Sequence, residues 1–299
     1  MALDLLEMEI RNMFKKNYKL MDNVPREIEW DKYCQKVEEE YCKILEASNS
    51  EDVLQKFFEE NPSLISGALE LIGQSGHCPY MGALITQPEI GCNIKRKPDF
   101  MWMAQDSLTF CPVFIEIEKP SKQMFTKNKT PSAEFTQAMN QIDEWKVIFN
   151  KPENILNFYE KYNIPLSMRK KIFEPQYLLV YGRREEYIDD EHLTRLRKKK
   201  ENENVVIMSF DRLRPISDYK QFVTCKLVDG KYHVVNISPT FRYRHVCAKD
   251  LYNWIGFNDA IDSMKYTSDE RKKFLKERYD YWYSFKGEIG GIISTMNAE

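Results

Sequence analysis

Three carboxylates occupy unusual places in KPDFMWMAQDSLTFCPVFIEIEKP, the stretch from Lys97 to Pro120. Asp99 follows a proline and opens an apolar run. Glu116 and Glu118 interrupt a second run, Val113, Phe114, Ile115 and Ile117, that otherwise reads as a buried strand. Side chains alternate between the two faces of a strand. Glu116 and Glu118 therefore share one face, and Ile115, Ile117 and Lys119 the other. Neighbouring carboxylates repel, and burying either one unpaired is costly. A divalent cation answers both problems, because hard oxygen ligands suit Mg2+ or Mn2+. The interval from Asp99 to Glu116 accommodates a strand, a turn and a return, which would bring the two side by side. The bland alternative is an edge strand with both glutamates in water, since polar alternation is an ordinary strand pattern. Against it, the run is apolar on both faces until position 116 and changes character only at its end, where α/β sheets place ligands.

The elements that must position these residues can be read from periodicity. Leu5, Leu6, Ile10 and Phe14 recur at helical spacing, and Trp30 to Leu45 carries a second amphipathic pattern. Ser48 and Glu51 form a capping box for a helix with Val53, Leu54, Phe57 and Phe58 on its apolar face, ended by Asn61-Pro62. From Gly82 to Glu118 the pattern is strand, turn, strand, and a third strand. Thr130-Pro131 reads as the start of a helix bearing Phe135, Ala138, Met139, Ile142, Trp145 and Phe149 on one face. Gln141 lies about 40° around that helix from Trp145, with Glu134 on the same flank, so this edge could look into the acidic cluster. QYLLVYG and VVIMSF are short buried strands on either side of a charged helix at 189–200. The order helix–β–β–β–α–β–α–β is that of an α/β domain with a mixed sheet over 50–215, preceded by a helical segment, 1–49. Pro215 marks the expected boundary of a C-terminal extension, 216–299. There a hairpin turns at Asp229-Gly230, and a helix begins at Thr267 with Glu270 completing a capping box. Phe274, Leu275, Trp282 and Phe285 on that helix are apolar positions for the core or a partner.

Bulk composition narrows the classes. The 299 residues are 42% hydrophobic and 30% charged, with a net charge of −2, so any nucleic-acid contact must come from a local basic patch. No apolar run approaches the ~20 residues of a membrane helix. The N-terminus is too acidic and amphipathic for a secretory signal, and a cytoplasmic protein is expected. Seven scattered cysteines without a CxxC pair suit reduced, mostly buried thiols rather than disulfides or a zinc site.

The motifs also carry a resemblance. PDF, then a strand ending in an acidic pair and KP, then a helix with spaced glutamines, resembles the PD-(D/E)XK nuclease superfamily. FFEENPSLI, RKPDF, FIEIEKP, FTQAMNQIDEW and YLLVYGRREEY, in this order over roughly 50–215, resemble the Shedu family of anti-phage defence nucleases. The resemblance implies a restriction-endonuclease-like core and hydrolysis of DNA phosphodiesters with Mg2+ or Mn2+. It makes Asp99 and Glu116 metal ligands. The family's next element is a lysine two positions after the glutamate. Here Glu118 stands in that slot and Lys119 is one residue late, so Glu118 is placed ahead of Lys119 for the in-site role. Gln141, four residues before Trp145, fits the family's helix, and Glu60 corresponds to an acidic position that sometimes completes such metal sites. A homo-oligomer is implied as well.

Candidate cations for phosphates are Lys95, Arg96 and Lys97, then Lys122, Lys127 and Lys129 in the loop after the acidic strand, and Arg183-Arg184. No base-reading motif is evident, so shape or end recognition with low sequence specificity is expected. Two other readings stay open. The displaced lysine suits a non-catalytic nucleic-acid- or partner-binding module on a nuclease-like fold. The aromatic terminal helices suit an assembly protein.

Overall fold

The computed structural model describes residues 19–47, 50–70, 77–243, 253–284 and 299. The expected helix around Leu5–Phe14, the cap at Ser48, Cys247 and Phe285 lie outside these residues. Among the described residues, nine strands form one mixed sheet: β1 Ala83–Thr86, β2 Phe100–Gln105, β3 Thr109–Ile117, β4 Ile172–Phe173, β5 Gln176–Val180, β6 Val205–Met208, β7 Val223–Val228, β8 Lys231–Ile237 and β9 Trp254–Ile255. Their spatial order is β6-β5-β3-β2-β1-β7-β8-β9, with β4 beside β3. β1, β2 and β3 run antiparallel in succession, whereas β5 and β6 continue parallel to β3. β3 is therefore interior, between β2 and β5, and not an edge strand. Phe110 to Ile115 are all buried along it.

Helices cover both faces. On one side lie α1 Trp30–Ala47 and α2 Glu51–Glu60. Tyr41, Leu54, Phe57 and Phe58 pack there on Trp102, Val113, Ile115 and Leu178. On the other side are α3 Ala133–Phe149, α4 Pro152–Lys161, the single turn α5 Leu166–Arg169 and α6 Glu191–Lys198. Phe135, Ile142, Trp145 and Phe149 of α3 meet Met101, Met103, Phe114 and Leu179. Phe114 and Phe149 stack at 5.1 Å between ring centroids. The alternation of β2 and β3 thus sorts their side chains into two apolar layers, as the period-2 pattern requires. α4 and α5 are additions to the order read from sequence.

Three helix starts differ from the sequence reading. α2 begins at Glu51, with Ser50 as its N-cap residue. α3 is capped by Ser132, whose Oγ accepts from Phe135 N at 3.0 Å, rather than by Thr130. Thr130 is occupied elsewhere: its carbonyl accepts from Thr126 N and its hydroxyl meets that of Thr126. The last described helices are α7 Phe257–Ser263 and α8 Asp269–Tyr283. α8 is capped by Ser268, accepting from Arg271 N, not by Thr267.

The chain crosses Pro215 without leaving the sheet. β7 pairs in parallel with β1, and the β7–β8 hairpin turns at Asp229 and Gly230, both at positive φ (49° and 72°) as a tight right-twisted hairpin demands. Phe274, Leu275 and Trp282 of α8 are buried in this chain's own core. Among the described cysteines only Cys111 and Cys225 are fully buried, and Cys42 and Cys78 are exposed, so the expectation of mostly buried thiols does not hold there. Among the described residues no helix is long and apolar enough to cross a membrane.

Candidate functional site

β2 and β3 place their carboxylates by register. Phe100 pairs with Ile115, which sets Asp99 opposite Glu116. The backbone locks this arrangement, because Asp99 N donates to Ile115 O at 3.1 Å and Ile117 N donates to Asp99 Oδ2 at 2.7 Å. Glu116 follows Phe114 on the face covered by α3. There Gln141, on the turn before Trp145, donates from Nε2 to Glu116 Oε1 at 2.6 Å. Glu116 Oε2 is buried with no hydrogen-bond partner. β3 ends at Ile117, but Glu118 N still donates to Val180 O, so Glu118 keeps the register and stays near the cleft.

These groups meet in a cleft of about 330 Å³ at the end of β3, with Glu51, Asp52 and Gln55 of α2 on one wall and Gln141 of α3 on another. Asp99, Glu116, Glu118 and Lys122 line it with them. Lys122 bonds the Glu118 carboxylate, and its ammonium also comes within 4.0 Å of Glu51. Lys119 does not line the cleft. Its ammonium lies 3.8 Å from Glu51 and is more exposed than that of Lys122.

The cleft is strongly anionic. Burial pushes the Asp99 carboxyl up; the Ile117 amide opposes that shift, and the charges of Glu51 and Glu118 add to it. Burial likewise pushes Glu116 up, reinforced by Asp99 and Glu118 and partly offset by the Gln141 hydrogen bond. Burial pulls the Lys122 ammonium down, but Glu118 and then Glu51 outweigh it and hold its pKa above the ordinary value.

Among the described residues, no three His, Cys, Asp or Glu side chains converge closely enough to hold a metal ion as they stand. Two of the donors are committed, Asp99 Oδ2 to Ile117 N and Glu118 to Lys122. The donor set nonetheless fits a hard divalent cation in type. It is all oxygen, it carries excess negative charge, and it holds an orphaned buried oxygen, Glu116 Oε2.

The other sequence-derived candidates are dispersed. Lys95 pairs with Glu89, Arg96 with Glu144, Lys129 with Asp190 and Arg183 with Asp211. Lys97, Lys127 and Arg184 are exposed. Glu60 lies at the far end of α2 from the cleft and pairs with Lys265 at 2.6 Å, so it is not the acid that α2 brings to the site. That acid is Glu51, in the first turn, where a carboxylate is favoured by the helix dipole. Gln87 was also missed. It lines the cleft with φ 48°, a left-handed conformation uncommon for a non-glycine residue, and its N–H donates to Asp99 O at 2.7 Å.

A model of the family described as Shedu protein SduA, C-terminal, matches residues 48–214. The chain belongs to the Shedu SduA family. The Shedu match runs from the start of α2 to just past β6 and so contains every residue named in the cleft, while β7 to β9 and α8 lie beyond it. Membership of the Shedu family suggests a role in anti-phage defence. No curated protein sequence matches the chain.

Proposed function

We propose that this Shedu-family chain is a divalent-metal-dependent endonuclease of the PD-(D/E)XK type, hydrolysing the phosphodiesters of phage DNA in the cytoplasm with low sequence specificity. The observation that carries this reading is the register pair Asp99–Glu116, half-buried at the end of an interior strand, with one buried carboxylate oxygen unpartnered. A cluster this costly to bury is expected where it does work.

Asp99, Glu116 and Glu118 would hold Mg2+ or Mn2+. When bound, such an ion supplies Lewis-acid stabilisation of phosphate charge and lowers the pKa of water. The protein's own part is orientation. The Ile117 amide fixes Asp99, and Gln141 fixes Glu116, so neither carboxylate must be ordered when the ion arrives. The exposed cations Lys97, Lys127 and Arg184 would meet backbone phosphates outside the cleft. The resemblance extends the proposal to a homo-oligomer, which sedimentation of the full chain measures directly.

The test is calorimetric titration of Mn2+ and Mg2+ into the wild type and Asp99→Ala, with plasmid cleavage run on the same samples. Binding and cleavage both present in the wild type and both lost in the variant support the reading. Asp99→Ala cleaving as fast as the wild type defeats it. A wild type that binds DNA without a divalent ion and cleaves under neither ion makes the chain a binding module on a nuclease-like fold.

A further inference from the structure

We propose that Lys122, and not Lys119, is the cationic catalytic residue that faces the scissile phosphate. This inference rests on the proposed nuclease activity and assigns a residue within it.

The charge of the cleft raises the question. Glu51, Asp52, Asp99, Glu116 and Glu118 all line it, and Lys122 is the one cationic side chain among its described lining residues. A phosphodiester gains negative charge on its non-bridging oxygens as it reacts, and in so anionic a cleft that charge needs a cation beside it. Lys119 is nearer in sequence to the acidic pair, yet it does not line the cleft, and its ammonium pairs with Glu51 while Lys122 bonds Glu118.

The backbone explains how a lysine four residues after Glu118 comes back to it. Lys119, Pro120, Ser121 and Lys122 form a turn closed by Lys122 N donating to Lys119 O at 3.2 Å. Proline at the second position presets the φ that such a turn needs. The reversal returns the Lys122 side chain to the Glu118 carboxylate. The next three residues hold the turn in place. Gln123 O accepts from Ser132 Oγ at 2.7 Å, and Glu186 accepts from Met124 N and Phe125 N at 2.9 and 2.8 Å. Gly182 lies against the carbonyl of Lys122 so closely that a Cβ there would stand 2.7 Å from its oxygen.

In the reaction, a bond forms from a water oxygen to phosphorus and the bond from phosphorus to the leaving sugar oxygen breaks. The water releases a proton to solvent, and the leaving oxygen takes one up. Lys122 takes no part in this proton traffic. Its ammonium meets the negative charge that grows on the non-bridging phosphate oxygens, a role in which a preorganised donor is worth far more than in water.

The experiment compares the wild type, Lys122→Met, Lys122→Arg and Lys119→Met in full-length protein, with thermal melting to establish folding. Single-turnover cleavage is measured at saturating DNA with Mn2+, DNA affinity in EDTA, and Mn2+ affinity by calorimetry. Lys122→Met is expected to lose about 100-fold or more in single-turnover rate. Its DNA affinity should stay within about threefold, and its Mn2+ affinity should be unchanged or tighter, because Glu118 is freed from a competing cation. Lys122→Arg should recover part of the rate, and the loss at Lys119→Met should be at least about tenfold smaller. Several results overturn the assignment: a Lys122→Met rate within about threefold of wild type, a loss confined to DNA affinity, or an equal or larger loss at Lys119→Met. A folded wild type without metal-dependent cleavage overturns the nuclease reading and this assignment with it. A wild type that cleaves while Lys122→Met also cleaves normally overturns this assignment alone.

Discussion

Gln141 Nε2 on α3 lies 2.6 Å from Glu116 Oε1 on β3, so one hydrogen bond ties the helical layer to the acidic end of the sheet. It satisfies one oxygen of a carboxylate whose other oxygen has no partner. It is also the one contact that lowers the proton affinity of Glu116 against burial and three neighbouring acids. Gln141→Ala should therefore weaken Mn2+ binding and cleavage by about 10–100-fold, the usual range for a group that orients a metal ligand. Calorimetry and plasmid cleavage on the variant check this. Full activity would mean that Glu116 needs no orientation from α3.

The same pair makes metal-free stability depend on pH. Asp99 and Glu116 have folded pKa values raised above their unfolded ones, mainly by burial. Their contribution is fully present below the unfolded carboxylate range, about pH 4, and is lost as pH rises through the raised folded values. In EDTA the melting temperature should therefore fall from about pH 5 to about pH 9, and Mg2+ should restore it at the upper end. Glu116→Gln keeps the acceptor for Gln141 and removes the charge. At the upper end of that range it should stabilise the metal-free protein by on the order of 1–3 kcal/mol while abolishing cleavage. Melts of both proteins across the range decide it; a flat wild-type profile would show that the pair is solvated.

What was legible in the sequence was local or fixed by a short register. Alternation along β3 assigned Glu116 to one face, the strand–turn–strand spacing put Asp99 opposite it, and the wheel of α3 turned Gln141 toward both. Asp229-Gly230 specified its own hairpin. What was not legible depended on how separate elements meet. Glu51 and Glu60 sit at opposite ends of α2, about 13 Å apart along its axis, and nothing local says which end points at the cleft. Lys122 reaches Glu118 through a turn, outside any strand or helix period. The joining of β7 to β1 across Pro215 is a long-range pairing with no signature in either segment.

The start of α3 shows how a tertiary partner chooses between two residues of the same chemistry. Thr130 and Ser132 are both good caps, and Pro131 favoured the first reading. Ser132 prevails because its hydroxyl accepts from Phe135 N while donating to Gln123 O, joining the helix to the loop that carries Lys122. Ser132→Ala should cost about 1 kcal/mol, and Thr130→Ala clearly less, in urea denaturation. Ser132→Ala should also slow cleavage, since Gln123 adjoins Lys122. Equal stability losses would place the cap at neither residue.

Gly182 offers a test of the same loop from its other side. It follows β5 at φ 60°, and a Cβ there would meet the carbonyl oxygen of Lys122 at 2.7 Å. That oxygen belongs to backbone and cannot rotate aside as a side chain would. Gly230, in the β7–β8 hairpin, has a similar φ of 72°, but an added Cβ there has nothing within 4 Å. Alanine at Gly230 thus reports the cost of the left-handed backbone alone, about 1 kcal/mol. Alanine at Gly182 adds the collision, so its loss in urea denaturation should exceed that of Gly230→Ala by about 1–2 kcal/mol. Its cleavage should fall with the displaced Lys122, whereas Gly230→Ala cleaves normally. Gly182→Ala costing no more than Gly230→Ala would mean that the turn moves aside freely, and the end of β5 would then have no part in holding Lys122 at Glu118.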